Sequence, residues 1–194
     1  TRLGVNNISN STLANVTSLP AGVGGKVLQV VGNRLDDSMD ATGTDGTEYD
    51  IQGGGPGIFE TSMTIASGSK VYVDYMFHLG GDSENATVGL FMKAKVDSGS
   101  YENVAIGDAN GSRRRMFSTS GRSMTEGGGG YWLQNVSGNV LFTPSGSGSR
   151  VVTVKFTIQN RASGNRRIYN NYSHANDNDS VVTVSTCTLM EVGS

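Results

Sequence analysis

Three stretches of this 194-residue chain alternate apolar and polar side chains with a period of two, the pattern of strands with one face buried. In the first, Val71, Val73, Tyr75, Phe77 and Leu79 alternate with Lys70, Tyr72, Asp74, Met76 and His78. The second sets Val88, Leu90, Met92, Ala94 and Val96 against Thr87, Gly89, Phe91, Lys93 and Lys95, and the third sets Val152, Val154, Phe156 and Ile158 against Val151, Thr153, Lys155 and Thr157. A further run, 181–192, lacks Gly and Pro, is rich in β-branched residues and continues almost to the last residue. Such a strand has to lie inside a sheet, because an unpartnered terminus frays. Its alternation sends Cys187 and Leu189 to one side and Thr186, Thr188 and Met190 to the other.

Shorter strand candidates lie at 26–31, 48–52, 59–65, 100–106, 131–136 and 166–170, separated by clusters of Gly, Ser, Asn and Asp. No segment sustains a helical period. About eight to ten short strands predict an all-β chain: an antiparallel two-sheet sandwich with jelly-roll or related Greek-key order. Residues 1–25 stand apart as a short N-terminal arm, with the sandwich domain over 26–194. The arm scatters Leu3, Val5, Ile8, Leu13, Val16 and Leu19 among asparagines and closes on Pro20, Gly22, Gly24 and Gly25. Its spacing allows one or two helical turns capped by Ser9 or Asn10, too short and polar to stand alone. Two uses fit it, a tether packed on its own domain or an arm docked on a neighbouring subunit.

Charged residues make up only 16% of the chain and the net charge is −2, so the basic field that nucleic-acid binding needs is lacking. There is no run of 18 apolar residues and no apolar leader-like segment at the N-terminal end, which argues against membrane insertion and secretion. The single Cys187 cannot form an internal disulfide and suits a buried small hydrophobe in a chain made in a reducing cytoplasm. Asn-X-Ser/Thr triplets are frequent, as a chain rich in Asn, Ser and Thr produces by chance. Thr1 is the kind of small residue that permits loss of an initiator Met, so a complete small protein is expected.

Catalysis finds little footing. His78 lies on the less apolar face of a strand, His174 lies in a polar loop, and neither belongs to a motif. Asp36-Asp37 and Glu48-Tyr49-Asp50 read as turn and edge residues rather than as a paired-carboxylate site. The glycine clusters at 53–57 and 127–130 precede strand-like residues, whereas a phosphate loop needs a helix after it. Asp36, Asp37, Asp40 and Asp45, and the run 176–179, offer oxygen ligands without calcium-loop spacing, and turn capping is the preferred reading. The expectation is a non-enzyme without metal or cofactor.

Binding is better represented. After an Asn110-Gly111 turn come Arg113, Arg114 and Arg115, with Arg122 farther on and Arg161, Arg166 and Arg167 in a later region. Guanidinium forks hold phosphates and carboxylates, including those of acidic polysaccharides, and they serve subunit interfaces equally well. Tyr131 and Trp132 beside the second glycine run, with Tyr101, Tyr169 and Tyr172, are candidate sugar-stacking platforms, although alternation sends about half of such residues into the core. The connection through 118–130 reads as a long loop without strands, and specificity is expected in the loops 107–130 and 160–179.

The ending Ser185-Thr186-Cys187-Thr188-Leu189-Met190-Glu191-Val192 resembles the "STITLMEI"-type terminus of small β-sandwich domains in tailed-phage virion proteins, with Cys187 in place of Ile. The segments 26–31, 60–65, 67–73 and 166–170 follow the same pattern in order, so the resemblance spans 24–194. It implies a virion surface protein of the tail-fibre kind, without a catalytic residue or a known ligand. The expected partners are copies of itself, as a homotrimer, other virion proteins reached through the arm, and host-surface polysaccharide at the loops. A head decoration protein without receptor binding and a soluble carbohydrate-binding module are the alternatives.

Overall fold

The structure, a computed structural model, describes residues 26–52, 57–82, 87–112, 115–122, 133–161, 164–172 and 182–193, the side chains of 121 and 122 excepted. These residues form strands and turns and no helix, so none is long and apolar enough to cross a membrane. The strands are β1 (Val27–Leu35), β2 (Met39–Gly43), β3 (Glu48–Asp50), β4 (Glu60–Ile65), β5 (Lys70–Gly81) and β6 (Thr87–Val96). They continue with β7 (Glu102–Asn103), β8 (Ser118–Arg122), β9 (Gln134–Phe142), β10 (Arg150–Asn160), β11 (Arg166–Asn170) and β12 (Ser185–Val192).

All pairings are antiparallel and fall into two six-stranded sheets. In the first, β5 pairs with β9 along one edge, while its other edge is shared end to end by β12 and β11, which pair in turn with β1 and β2. In the second, β10 has β6 on one edge and β4 and β3 end to end on the other, and β7 and β8 share the far edge of β6. Each of the pairs β1/β2, β3/β4, β7/β8 and β11/β12 is therefore one interrupted strand. Counted so, the chain has eight strands in the orders 1-8-3-6 and 2-7-4-5, which is the jelly-roll connection of two Greek keys.

The interruptions are pinched out of the ladder. Ile51 and Phe59 close the base of one through the Phe59 N–H to the Ile51 carbonyl at 2.8 Å, and Gly107 and Met116 close another at 3.1 Å. The third leaves at Asn171 and returns at Thr183, whose N–H reaches the Asn171 carbonyl at 2.8 Å. These departures lie level with one another: Ile51 bonds Phe156, Phe117 bonds Leu90, and Asn171 bonds His78 beside Phe77. Here the core is aromatic. Phe77 and Phe156 meet across the sheets with ring centroids 4.7 Å apart, Phe59 stands edge-on to Phe77, and Tyr75 packs on Phe117 at 5.0 Å. Burying each ring stabilises by about 2–3 kcal/mol, so bulky rings fill the level at which the sheet edges lose their regular pairing.

The three period-two strands turn the expected residues inward, and Cys187 and Leu189 face the core while Thr186, Thr188 and Met190 face out. Several boundaries differ from expectation. Ser118–Arg122 is a strand rather than part of a structureless loop, because its backbone pairs with β6 although Ser118, Thr119 and Ser120 offer only small polar side chains. Met39–Gly43 likewise pairs with β11. The 100–106 candidate contracts to Glu102–Asn103, the 131–136 candidate becomes Gln134–Phe142, and the last strand starts at Ser185, since Val182 makes only an isolated bridge to Tyr172 and is 74% exposed. The arm at 1–25 lies outside the described residues.

Candidate functional site

Of the residues proposed for binding, the structure brings together those on and after β11. Neighbours on a strand point to opposite faces, so Arg166 and Arg167 part company. Arg167 turns to the outer face, where its Nε donates to Asp40 Oδ2 on β2 at 2.6 Å and its guanidinium lies 5.6 Å from the Tyr169 ring centroid. Tyr172 meets Tyr169 edge-to-face with centroids 5.3 Å apart, and its hydroxyl also bonds Asp40. The Arg167 hydrogen bond holds the Asp40 carboxyl below its usual range in spite of burial. Burial pushes both tyrosine hydroxyls up, so they stay neutral. Asp40 engages the Nε edge of the Arg167 guanidinium, and Tyr169 is 1% exposed, no platform for a sugar.

Arg115 stands elsewhere, its Nε donating to the Gly107 carbonyl at 2.6 Å across the base of the 107–116 excursion. Arg122 sits on β8 opposite Thr87. Arg113, Arg114, Tyr131 and Trp132 lie outside the described residues, as do His174 and 176–179. Two of the clustered aspartates are taken by arginines, Asp36 by Arg34 at 2.6 Å and Asp40 by Arg167. Among the described residues no group of three His, Cys, Asp or Glu gathers as metal ligands would.

Two outer surfaces escaped the sequence reading. On the β10/β6 sheet, Lys155 and Lys93 lie directly opposite each other, an unfavourable juxtaposition that β3 resolves. Glu48 takes Lys93 at 2.7 Å and Asp50 takes Lys155 at 2.6 Å, around a depression of about 250 Å³ that Thr157 also lines. Thr157 donates its hydroxyl to Glu48. Beside it Tyr101 donates to Glu60 at 2.6 Å, with the ammonium groups of Lys95 and Lys155 within 4.6 and 4.4 Å of its ring centroid. Burial first, then that bond, pushes the Tyr101 hydroxyl far above its ordinary range. Lys93, Lys95 and Lys155 were visible in sequence as outward positions, but Glu48 and Asp50, the partners of Lys93 and Lys155, come from β3, which only the register brings close.

The other sheet carries an apolar stretch on its outer face, away from the Arg167–Asp40 pair. Leu141, Tyr72, Met190 and Val30 stand in register across β9, β5, β12 and β1, one apolar row spanning the outer face. Leu141 is 49% and Val30 57% exposed, and Leu28 and Val192 extend the row where the described chain begins. The signal was present in the alternation, but each residue looked like a solitary outward apolar side chain until the strands were aligned.

No family model matches this chain, and no curated protein matches it. Among solved structures the chain is similar to one titled "Structure of infectious bursal disease virus Gx strain", with 10% identity over 86% of this chain and a TM-score of 0.39. The chain spans 41% of the length of that protein. The jelly-roll assignment rests on the strand order alone.

Proposed function

We propose that this chain is a structural protein of a virion surface, a phage head decoration or short tail fibre, that works by association rather than catalysis. The observation that carries the reading is the complete strand order, 1-8-3-6 over 2-7-4-5, closed by the same C-terminal segment on which the virion resemblance rests. Jelly rolls occur in viral coats, and fold alone does not fix function, so the resemblance and the strand order support the reading jointly. A non-catalytic role accords with the state of the candidate groups. Burial pushes the Cys187 thiol up to about 12, and His78 Nδ1 lies 3.1 Å from the Val184 carbonyl.

Within this reading a homotrimer is the proposed assembly, with other virion proteins as neighbours. Binding of host polysaccharide by 166–172 is the weaker version, because Tyr169 is buried and Tyr172 packs edge-on against it, which leaves no open stacking face shared by the two rings. Mass spectrometry and immunogold microscopy of gradient-purified particles test the proposal: the chain is expected at fixed stoichiometry on the particle exterior. Its absence from particles, with binding of the free protein to a glycan array, would sink the virion reading in favour of a carbohydrate-binding module.

A further inference from the structure

The outer face of the β9/β5/β12/β1 sheet is ordered in rows, since outward residues in register stand side by side. Its middle row is Leu141, Tyr72, Met190 and Val30. Two residues along the strands in one direction stand Lys70 on β5, Val192 on β12 and Leu28 on β1, and two residues in the other direction stand Asp74, Thr188 and Gly32. Lys70 and Asp74 are exposed, and neither has an ion-pair partner among the described residues. We propose that this face docks on the same face of a second copy of the chain, about a two-fold axis that runs along the apolar row.

In a two-fold contact each residue meets its own image or exchanges partners with one other. Rotation about the row sets Leu141, Tyr72, Met190 and Val30 against their own images, an apolar strip along the middle of the contact, and carries each flanking row onto the other. Lys70 then faces Asp74 of the second copy, and Asp74 faces its Lys70, so both charges gain partners that the free molecule does not offer. Sheets packed face to face lie about 10 Å apart, a gap that a lysine and an aspartate side chain span together. Leu28, 42% exposed, comes over Gly32, where a Cβ would have only Thr188 Oγ1 within 4 Å, so a large side chain meets an open place. At the corner of the face Arg34 turns toward Lys26, but Asp36 already neutralises Arg34 at 2.6 Å. The outer lysines of the other sheet have no such use for a second copy, because Lys93 and Lys155 find Glu48 and Asp50 within their own molecule. Four strands and three rows cover about 20 Å by 20 Å, about 800 Å² over both copies, against about 1,200–2,000 Å² in stable complexes. The dimer is therefore weak and forms as concentration rises. The inference goes beyond the virion reading: the contact pairs single copies, or pairs trimers where three copies already associate.

Sedimentation velocity of the full chain, from micromolar to millimolar concentration, tests the contact through charge reversal. The mass of the unsubstituted chain is expected to double as concentration rises, from whichever unit it holds at dilution. Lys70→Glu sets acidic groups against acidic groups across the axis, and Asp74→Lys sets basic groups against basic groups, so each variant alone is expected to associate at least about tenfold more weakly. An equal mixture of the two variants puts opposite charges at both contacts and is expected to regain the association of the unsubstituted chain. Both positions are exposed, so the near-ultraviolet circular dichroism of the variants is expected to be unchanged. Equal association in the unsubstituted chain and the two variants, or a mixture that regains nothing, would overturn the proposal. So would an unsubstituted chain that keeps one mass throughout, the result expected if a segment of the same chain covers the face instead.

Discussion

Asn171 holds together the point where the eighth jelly-roll strand leaves and re-enters its sheet. Its φ of 65° is left-handed, a region that Asn tolerates better than most residues, and its side chain is fully buried. Nδ2 donates to the carbonyls of Leu35 at 2.9 Å and Asp37 at 3.0 Å, while Oδ1 accepts from Ser185 Oγ at 2.5 Å. One side chain thus ties the break between β1 and β2 to the break between β11 and β12. Asn171→Ala removes those three hydrogen bonds and keeps the strained φ, for an expected loss of about 3 kcal/mol in urea unfolding. Asn171→Gly relieves the backbone only and should cost less; equal costs would mean that the φ angle contributes nothing. Glu191 plays a comparable part at the opposite end of the sandwich, accepting from Ala66 N–H and Gln29 Nε2 at 2.7 Å each. Burial alone would raise its pKa, but those bonds and one from Ser69 outweigh it and hold the carboxyl below its ordinary 4.5. A group depressed in the folded state stabilises fully above its unfolded pKa and loses that contribution as pH falls through the folded value. Glu191→Gln is therefore expected to cost about 2 kcal/mol at pH 7 and to flatten the decline of stability below pH about 4.5; an unchanged acid limb would contradict the assignment.

At the level of elements, the close approach of β5 and β9 depends on a position without a side chain. Gly138 faces Tyr75 in the register, and a Cβ there would stand 2.8 Å from the Tyr75 hydroxyl and 3.2 Å from its ring. The same hydroxyl bonds Ser118 on β8, so the ring spans the core from one sheet to the other. Gly138→Ala is expected to cost about 1–2 kcal/mol by forcing that ring aside, and less in a Tyr75→Phe background, where the nearest atom is gone. A double-mutant cycle with no coupling would show that the ring yields freely. Strands of this kind were legible where both requirements of a sheet coincided. β5, β6 and β10 alternate cleanly because they lie inside their sheets with one face in the core. β2 and β8 were not legible: in Met-Asp-Ala-Thr-Gly the alternation is only two apolar residues long, Met39 and Ala41 at the margin of the core, and Ser-Thr-Ser-Gly-Arg has no apolar period to read. Val182 and Val184 misled in the other direction, being β-branched yet exposed, outside the ladder that begins at Ser185. The charged surface around Tyr101 and the Arg167–Asp40 cluster share one cause of illegibility. Partners such as Lys93 and Glu48, or Arg167 and Asp40, lie far apart in sequence, and only strand register makes them neighbours.

For the molecule as a whole, the antiparallel sandwich could be read from the number and spacing of strands, but not which strands share a sheet. That information resides in β12. It is an interior strand, paired with β1 on one side from Val192 to Ser185 and with β5 on the other from Lys70 to Met76, and its Cys187 and Leu189 complete the core. The chain's first described strand and its last are thus direct neighbours, so the sandwich closes only when the C-terminal segment is in place. This explains why the most distinctive stretch of sequence lies there: Leu189 fills the core, Met190 joins the outer row, Glu191 secures the β4–β5 turn, and Val192 pairs with Val27. Pairings between such distant segments fold slowly, on the millisecond-to-second scale, because loop closure precedes the contacts that stabilise it. A chain ending at Val184 should leave β1 and β5 with unpaired edges and an open core, and is expected to lose near-ultraviolet circular dichroism and its cooperative thermal transition. If it instead melts cooperatively within a few degrees of the full chain, closure by β12 is not what completes the fold.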